Sequence, residues 1–482
     1  MTQLALDQRL KLPGIVLLGG ACGVTLAVGG MTAFYLCASL LACGFVLADF
    51  RCGVVLLILL MPLSGSSSLF PHEMFGIVGL NPLNLLLAGT CCSWLLHAFA
   101  AGSLRRFLPR PLLLLYVVPI LVAGAIGTRH IHEIAPGLLA LDSGRLDYPD
   151  AASYLRELML KPLLMVLFAL LVAAAVEKSA RPVKFLLPAV ISMCAMAAIV
   201  PVYVTLSGIG LQALAASDER EFLSTLGLHA NDLGRLYAIA YALLLFAWAE
   251  ARELPLRWVL LAAAGATVVA LVLTFSRGAF VELAVVSALY VLWRRSPRTL
   301  VLAAVVVVAA LVLAPAALYE RLATGEGAGL NAISAGRVEG LWLPLLPEVL
   351  QHPLFGNGIG SILWSEAMRR GAGTQVLPAT HPHNAYLEAL LDMGLIGTIL
   401  LCAYFVHVFR GLWELSRDLR LEPVLRGFFQ GAAAGLIGML VSDFTDSSLA
   451  PRPEQAFLWL AIGMMYGECA RLTASAARPG AA

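Results

Sequence analysis

Charge is scarce in this chain. Of its 482 residues only 13% are Asp, Glu, Lys or Arg, whereas 60% are hydrophobic, and the mean hydropathy is +0.86. That balance excludes an ordinary soluble globular domain, in which about a quarter of residues are charged. The formal net charge of +2 supplies no basic field, so no nucleic-acid partner is expected. A disulfide framework is missing too. Of nine cysteines, Cys22, Cys37, Cys43, Cys91, Cys92, Cys194 and Cys402 lie inside apolar runs, the long polar loops hold none, and no CxxC spacing occurs. They read as small packing residues, and no thiolate metal site is expected. The period-2 alternation of a membrane barrel is also absent.

What remains is a succession of Leu-, Ala- and Val-rich runs. About 14 apolar segments run from Pro13–Gly30 to Ala456–Cys469, several of them short of the ~20 residues that a helix needs to cross the hydrocarbon. The fold class is therefore an all-α polytopic membrane protein with about 12 transmembrane helices. Arg9 and Lys11 precede the first run and a second begins at Met31, which suits an uncleaved first span better than a signal peptide.

Basic residues cluster on alternate loops: Arg51, Arg105/Arg106/Arg110, Lys178/Arg181/Lys184, Arg252/Arg257, Arg294/Arg295/Arg298 and Arg410/Arg417/Arg420/Arg426. By the positive-inside rule these loops and both termini face the cytoplasm. The opposite loops are richer in acid, at Glu73, Glu133, Asp142, Asp147, Asp150, Asp218, Glu219, Glu221, Glu326 and Glu366. The longest loop, Tyr319–His383, faces outward and carries an amphipathic helix around Trp342–Leu350. The expected organisation is an N-terminal bundle (1–316), an outer loop domain (317–384), and C-terminal helices with a cytoplasmic tail (385–482).

Against this bias, Arg156, Arg235, Arg277 and Arg337 fall at the outer edges of spans, where charge is costly and is usually paired or functional. Arg277 sits in Ser276-Arg277-Gly278, a tight turn between two spans, and Gly278 permits close approach of a ligand. A guanidinium binds phosphate oxygens bidentately; the bland alternative is a snorkelling arginine with Glu282 as partner. Arg337 stands in the long loop. Arg235 opens a span behind an Asn231/Asp232 capping pair, and Arg156 and Lys161 begin another.

Two histidines close the loop in His381-Pro382-His383-Asn384. Asn384 is a good N-cap for the helix that follows. His383 then precedes the positive end of a helix dipole, which favours neutral imidazole, the form able to take a proton from a hydroxyl. The alternative is a loop histidine that only hydrogen-bonds locally. His381 has the same exposure without the cap geometry. HPLFGNGIGS, with Gly356, Gly358 and Gly360, lacks the strand and lysine of a phosphate loop and reads as a flexible turn. Asp443 and Asp446 in DFTDSS read as helix-end hydrogen-bonding groups rather than a metal pair.

In order along the chain, Asn231-Asp232-Leu233-Gly234, Ser276-Arg277-Gly278, Gly336-Arg337 with Trp342 and Pro353–Gly358, and His383-Asn384 with Tyr386-Leu387 and Gly394–Gly397 resemble the O-antigen ligase and polymerase superfamily. The second histidine departs from the pattern. The resemblance implies a glycosyltransferase C-like membrane fold with a periplasmic loop domain, sited in the Gram-negative inner membrane. It implies transfer of a glycan from an undecaprenyl-diphosphate donor to a lipid A–core hydroxyl, without metal or other cofactor. It implies His383 as general base, and Arg277, Arg337, Arg235, Arg156 and Lys161 as diphosphate contacts. Asn384, His381, Ser276 and Gly278 would support them. Within the superfamily the reading favours a ligase over a polymerase or a protein O-oligosaccharyltransferase. A lipid or solute transporter is the alternative of another class, disfavoured because no internal repeat is visible and the charges gather at one face.

Overall fold

The computed structural model describes residues 2–66, 73–100, 108–135, 148–208, 228–297, 336–370, 378–445 and 448–476, with isolated positions between these stretches. Most of the expected span Thr299–Ala316, and the acidic positions Asp142, Asp147, Asp218, Glu219, Glu221, Glu326 and Asp446, lie outside the described residues. The chain divides into two compact units, Met1–Arg105 and Arg106–Ala482.

In the first unit, helix α1 (Thr2–Ala48) breaks at Gly30, the boundary expected between its two apolar runs. Asp49 caps α2 (Phe50–Leu60) by accepting from the Arg51 amide. Helix α3 (Pro82–Ala100) packs on α1, where the Ser93 hydroxyl donates to the Val46 carbonyl at 2.7 Å. That bond returns a buried hydroxyl to a backbone acceptor, as an apolar surrounding demands.

The second unit holds α4 (Arg110–Gly127), α5 (Ala151–Glu177), α6 (Pro182–Ser207), α7 (Ala230–Glu250), α8 (Leu254–Leu273) and α9 (Arg277–Arg294). After the outer segments come α10 (Leu343–Gln351), α11 (Ala385–Arg417), α12 (Pro423–Ser442) and α13 (Ala456–Ala476). Among the described residues, nine helices are long and apolar enough to cross a membrane. Helices α7 and α12 pack closely because Gly427 and Gly431 set bare backbone against the carbonyls of Phe246 and Ala242. Small residues four apart are the usual device where lipid offers no hydrophobic drive for helix association. The two ends of α7 differ in chemistry. Glu250 meets Arg294 (2.9 Å) and Arg426 (3.7 Å), joining loops that the charge pattern assigned to one face. The other end, at His229, carries the acids and arginines considered below.

Two capping expectations need correction. Helix α7 begins at Ala230 with His229 as its cap, its Nδ1 accepting from the Asn231 amide at 3.2 Å. Asn231 and Asp232 therefore lie inside the first turn. Helix α5 begins at Ala151 behind an Asp150/Ser153 capping box, which places Arg156 and Lys161 more than one turn in, Arg156 opening a π-helical turn (Arg156–Leu160) and Lys161 following it.

The HPLFGNGIGS segment is not a loose turn. Helix α11 is interrupted at Gly394 (φ 65°, ψ −169°), and this segment fills the break. Leu395 N donates to Pro353 O (2.8 Å), Ile396 N to Leu354 O (3.1 Å), Asn357 N to Leu391 O (2.8 Å) and Gly358 N to Asp392 O (3.0 Å). Ile359 N reaches Ala123 O of α4 (3.2 Å), and the Tyr154 hydroxyl of α5 donates to Ile359 O (2.6 Å). Asp392 then accepts from both the amide and the hydroxyl of Ser361 (3.0 and 2.9 Å), capping the short 3-10 turn Ser361–Trp364. The outer segments also own a small apolar core, in which Leu341, Leu345, Ile362 and Trp364 pack with Tyr154, Leu387 and Leu391. On the other side of α10, Leu343, Leu346 and Leu350 stay exposed, in keeping with an amphipathic helix.

A Cβ on Gly394 would strike the Leu354 backbone, at a φ that L-residues resist. Gly394→Ala is expected to lower the melting temperature in detergent by several degrees, about 2–4 °C for each kcal/mol lost. Gly265→Ala in α8, where a Cβ meets nothing, is expected to be neutral or mildly stabilising.

Candidate active site

The His381–Asn384 turn is held from three directions. Asn384 Oδ1 accepts from the amides of Tyr386 (3.1 Å) and Leu387 (3.0 Å), the cap expected from sequence. Trp342 Nε1 of the outer segment donates to Pro382 O at 2.8 Å. At the end of α12, Asp443 O accepts from Ala385 N (2.9 Å), and Leu440 O accepts from the Tyr386 hydroxyl (2.6 Å). So braced, the backbone keeps His383 at φ 51°, a left-handed conformation uncommon for a non-glycine residue and typical of over-determined functional turns. The rings of His381 and His383 lie 4.0 Å apart, centroid to centroid.

Positive groups gather around this pair. Burial, then His383, Arg452, Arg337 and His229, push the His381 imidazole down to about 3, so its ring is neutral at any physiological pH. Arg337 is anchored by donating from Nη1 to Thr445 O (2.9 Å), just beyond α12. Arg452 approaches Glu388 at 4.0 Å.

The other expected residues fall in three places. Ser276 caps α9, and half-buried Arg277 and Gly278 follow it. This turn lies against Gly234 of α7, where an added Cβ would meet Ala279 Cβ at 2.7 Å and Ser276 Cβ at 3.1 Å. Arg277 therefore begins its helix beside the start of α7. Arg235, the next residue of α7, is 1% exposed and sits 3.6 Å from both Asp443 and Glu454, tying α7 to the end of α12 and the approach to α13. Arg156 and Lys161 both reach Glu157, at 3.2 and 3.4 Å.

Below the histidines lies a cavity of about 320 Å³ whose lining includes His381, Glu157, Glu388, Asp392, Arg452 and Tyr148. His381 thus faces the cavity, while His383 touches it through His381. Sequence reasoning passed over Glu388, Asp392, Arg452 and His229. A signal existed for the two acids, because Glu388 and Asp392 stand four apart in an apolar helix and so share a face. Arg452, between Pro451 and Pro453, meets the same test of an outward arginine that singled out the other four.

Residues 258–402 match the sequence model of the O-antigen ligase family. This match supports the resemblance to the O-antigen ligase superfamily. The matched stretch runs from α8 to the middle of α11 and contains Arg277, Arg337 and His383. The chain is also similar to an O-antigen ligase of Pseudomonas aeruginosa, with 27% identity over 235 residues, 48% of this chain and 52% of that protein. The chain thus spans about half the length of this curated relative.

Two measurements test the electrostatics of this site. His381 has a folded-state proton affinity below its unfolded one, so the unfolded chain takes up a proton first as pH falls below about 6.5. The stabilisation is complete above that pH and is lost progressively toward about 3. Melting temperature should therefore decline on acidification from about pH 7.5 to 5, and His381→Asn should make the decline shallower. An unchanged slope refutes the assignment. Arg235→Met leaves Asp443 and Glu454 without their buried countercharge and should cost about 3–5 kcal/mol, read as a large fall in melting temperature.

Proposed function

We propose that this chain transfers a glycan from undecaprenyl diphosphate to a sugar hydroxyl of lipid A–core, at the periplasmic face of a Gram-negative inner membrane. The observation that carries the reading is the braced His381/His383 pair at the head of α11, with arginines gathered on the same end of the bundle. The ligase of Pseudomonas aeruginosa, as the similar curated protein, favours this over polymerisation.

In this reading His383 accepts the proton of the acceptor hydroxyl. His381 is the poorer base, because burial and four neighbouring basic groups oppose its protonation. The acceptor oxygen forms a bond to the anomeric carbon as the bond from that carbon to the diphosphate oxygen breaks. One base on the face opposite the leaving group gives inversion at that carbon. Arg277 and Arg337 neutralise the charge that grows on the diphosphate, a task for which fixed guanidinium groups need little reorganisation. Arg156 and Lys161 are further candidates on the cavity side, where Glu157 holds them. Arg235, between two carboxylates, acts by positioning the turn that presents Arg277. The outer segments 317–384 form the periplasmic part, and both termini are cytoplasmic.

The test is lipopolysaccharide banding in a ligase-deficient host expressing the unmutated chain, His383→Ala or Arg277→Ala at matched membrane levels. The unmutated chain should restore polymer-capped lipopolysaccharide. His383→Ala should abolish it, and Arg277→Ala should reduce it by roughly 100-fold or more, the scale of losing one oxyanion-stabilising group. Capping that survives His383→Ala would overturn the mechanism. Longer carrier-linked glycan without capping would identify a polymerase.

A further inference from the structure

The cavity beneath the histidines is lined by acidic, hydroxyl and apolar side chains. Three acidic side chains line it, Glu157, Glu388 and Asp392, with the guanidinium of Arg452, and Glu157 is paired with Arg156 and Lys161. The cavity is polar, of small-ligand size, and opens on His381, which touches the candidate base.

The three carboxylates are not equivalent. Glu157 holds Arg156 and Lys161. Asp392 receives the amide and the hydroxyl of Ser361. Glu388 differs: a side-chain hydrogen bond ties it to Ser448, its distance to Arg452 is 4.0 Å, too long for a hydrogen bond, and its Oε2 has no hydrogen-bond partner among the described residues. An unmatched carboxylate oxygen away from water is costly to leave so, and the group that satisfies it best is an O–H or N–H donor. Glu388 stands one helical turn after Asn384, on the face of α11 that follows the histidine turn. Hydroxyls of Thr380 and Ser448 and the ring of Tyr148 line the same space, with Leu158, Ile359 and Met393 supplying apolar surface. Hydroxyl acceptors, one cationic donor and an apolar wall are what a pyranose presents a match for: O–H groups at its rim and C–H groups on its face.

We infer that this cavity binds the acceptor sugar, with the Glu388 carboxylate accepting from a hydroxyl adjacent to the one that reacts. The inference rests on the transferase reading above and adds the acceptor subsite to it. Glu388 is a specificity-determining residue of that subsite. It aims the acceptor, while His383 takes the proton. Arg452 faces the same sugar and, 4.0 Å from Glu388, keeps the carboxylate oriented without saturating it. The diphosphate is held chiefly by Arg277 and Arg337.

The test uses the purified full-length chain in detergent, a purified undecaprenyl-diphosphate-linked glycan, and lipid A–core as the acceptor probe, each titrated in turn. Glu388→Gln and Glu388→Ala should raise the KM for lipid A–core by roughly tenfold or more, the loss of one charge-assisted hydrogen bond. The KM for the donor should move less than about twofold. Ser448→Ala, a smaller change at the cavity wall, should shift the acceptor KM in the same direction and carries the test should the Glu388 variants not fold. A donor KM that rises in place of the acceptor KM would put the donor sugar in the cavity and overturn the inference. So would a fall in kcat with both KM values unchanged. Failure of the parent reading looks different, because the unmutated chain would then give no capped product at all.

Discussion

The second unit is organised around a broken helix. A membrane-embedded backbone must satisfy its own N–H and C=O groups, because lipid offers no partners. Helix α11 violates that rule at Gly394, and the Pro353–Gly360 segment repairs it with four backbone hydrogen bonds. The repair has consequences beyond the break. Ile359, at the end of the repairing segment, joins the backbone of α4 and the Tyr154 hydroxyl of α5, so one stretch of chain fixes three helices together. Asp392, next to the break, caps the 3-10 turn that follows. The first three turns of α11, which carry Asn384, Glu388 and Asp392, are thereby held as a separate short rod pointing at the histidine turn.

A second constraint fixes the other side of that turn. Arg235 is buried between Asp443 and Glu454, and removing a charge from such a group is far more damaging than the net worth of the pair. The carbonyl of the same Asp443 accepts from Ala385. A continuous path of contacts therefore leads from the Arg277 turn through Gly234 and Arg235 to Asp443 and on to the head of α11. Residues far apart in sequence hold a common frame because the charges in it have no solvent to retreat to.

Much of this was legible beforehand, and the exceptions have physical causes. Helix existence followed from apolar runs, since in a bilayer hydropathy and length nearly determine a span. The Asn384 cap followed from local side-chain chemistry. The two ends of α7 agree with the charge pattern, as the meeting of Glu250 with Arg294 and Arg426 shows. The glycine segment misled because flexibility and close packing both use glycine, and only the partner backbone separates them. The α7 cap misled because a histidine ring nitrogen did the work that Asn and Asp usually do. Arg235 looked like an edge arginine because its partners, Asp443 and Glu454, are about 200 residues away in sequence.

Separation of charge is the feature that makes the proposed chemistry coherent. A glycosyl transfer with inversion needs a base on one side of the anomeric carbon and a stabilised leaving group on the other. The base must not be quenched by the leaving group's anion, and the acceptor must not be displaced by it. Around His381 and His383, burial first and then the neighbouring basic groups keep the His381 ring neutral, while acidic side chains line the cavity beneath them. In the proposed reaction an acceptor hydroxyl entering from the cavity meets the histidine pair, and the diphosphate meets guanidinium. On this proposal, a change in acceptor preference should be sought in the cavity wall and not among the arginines.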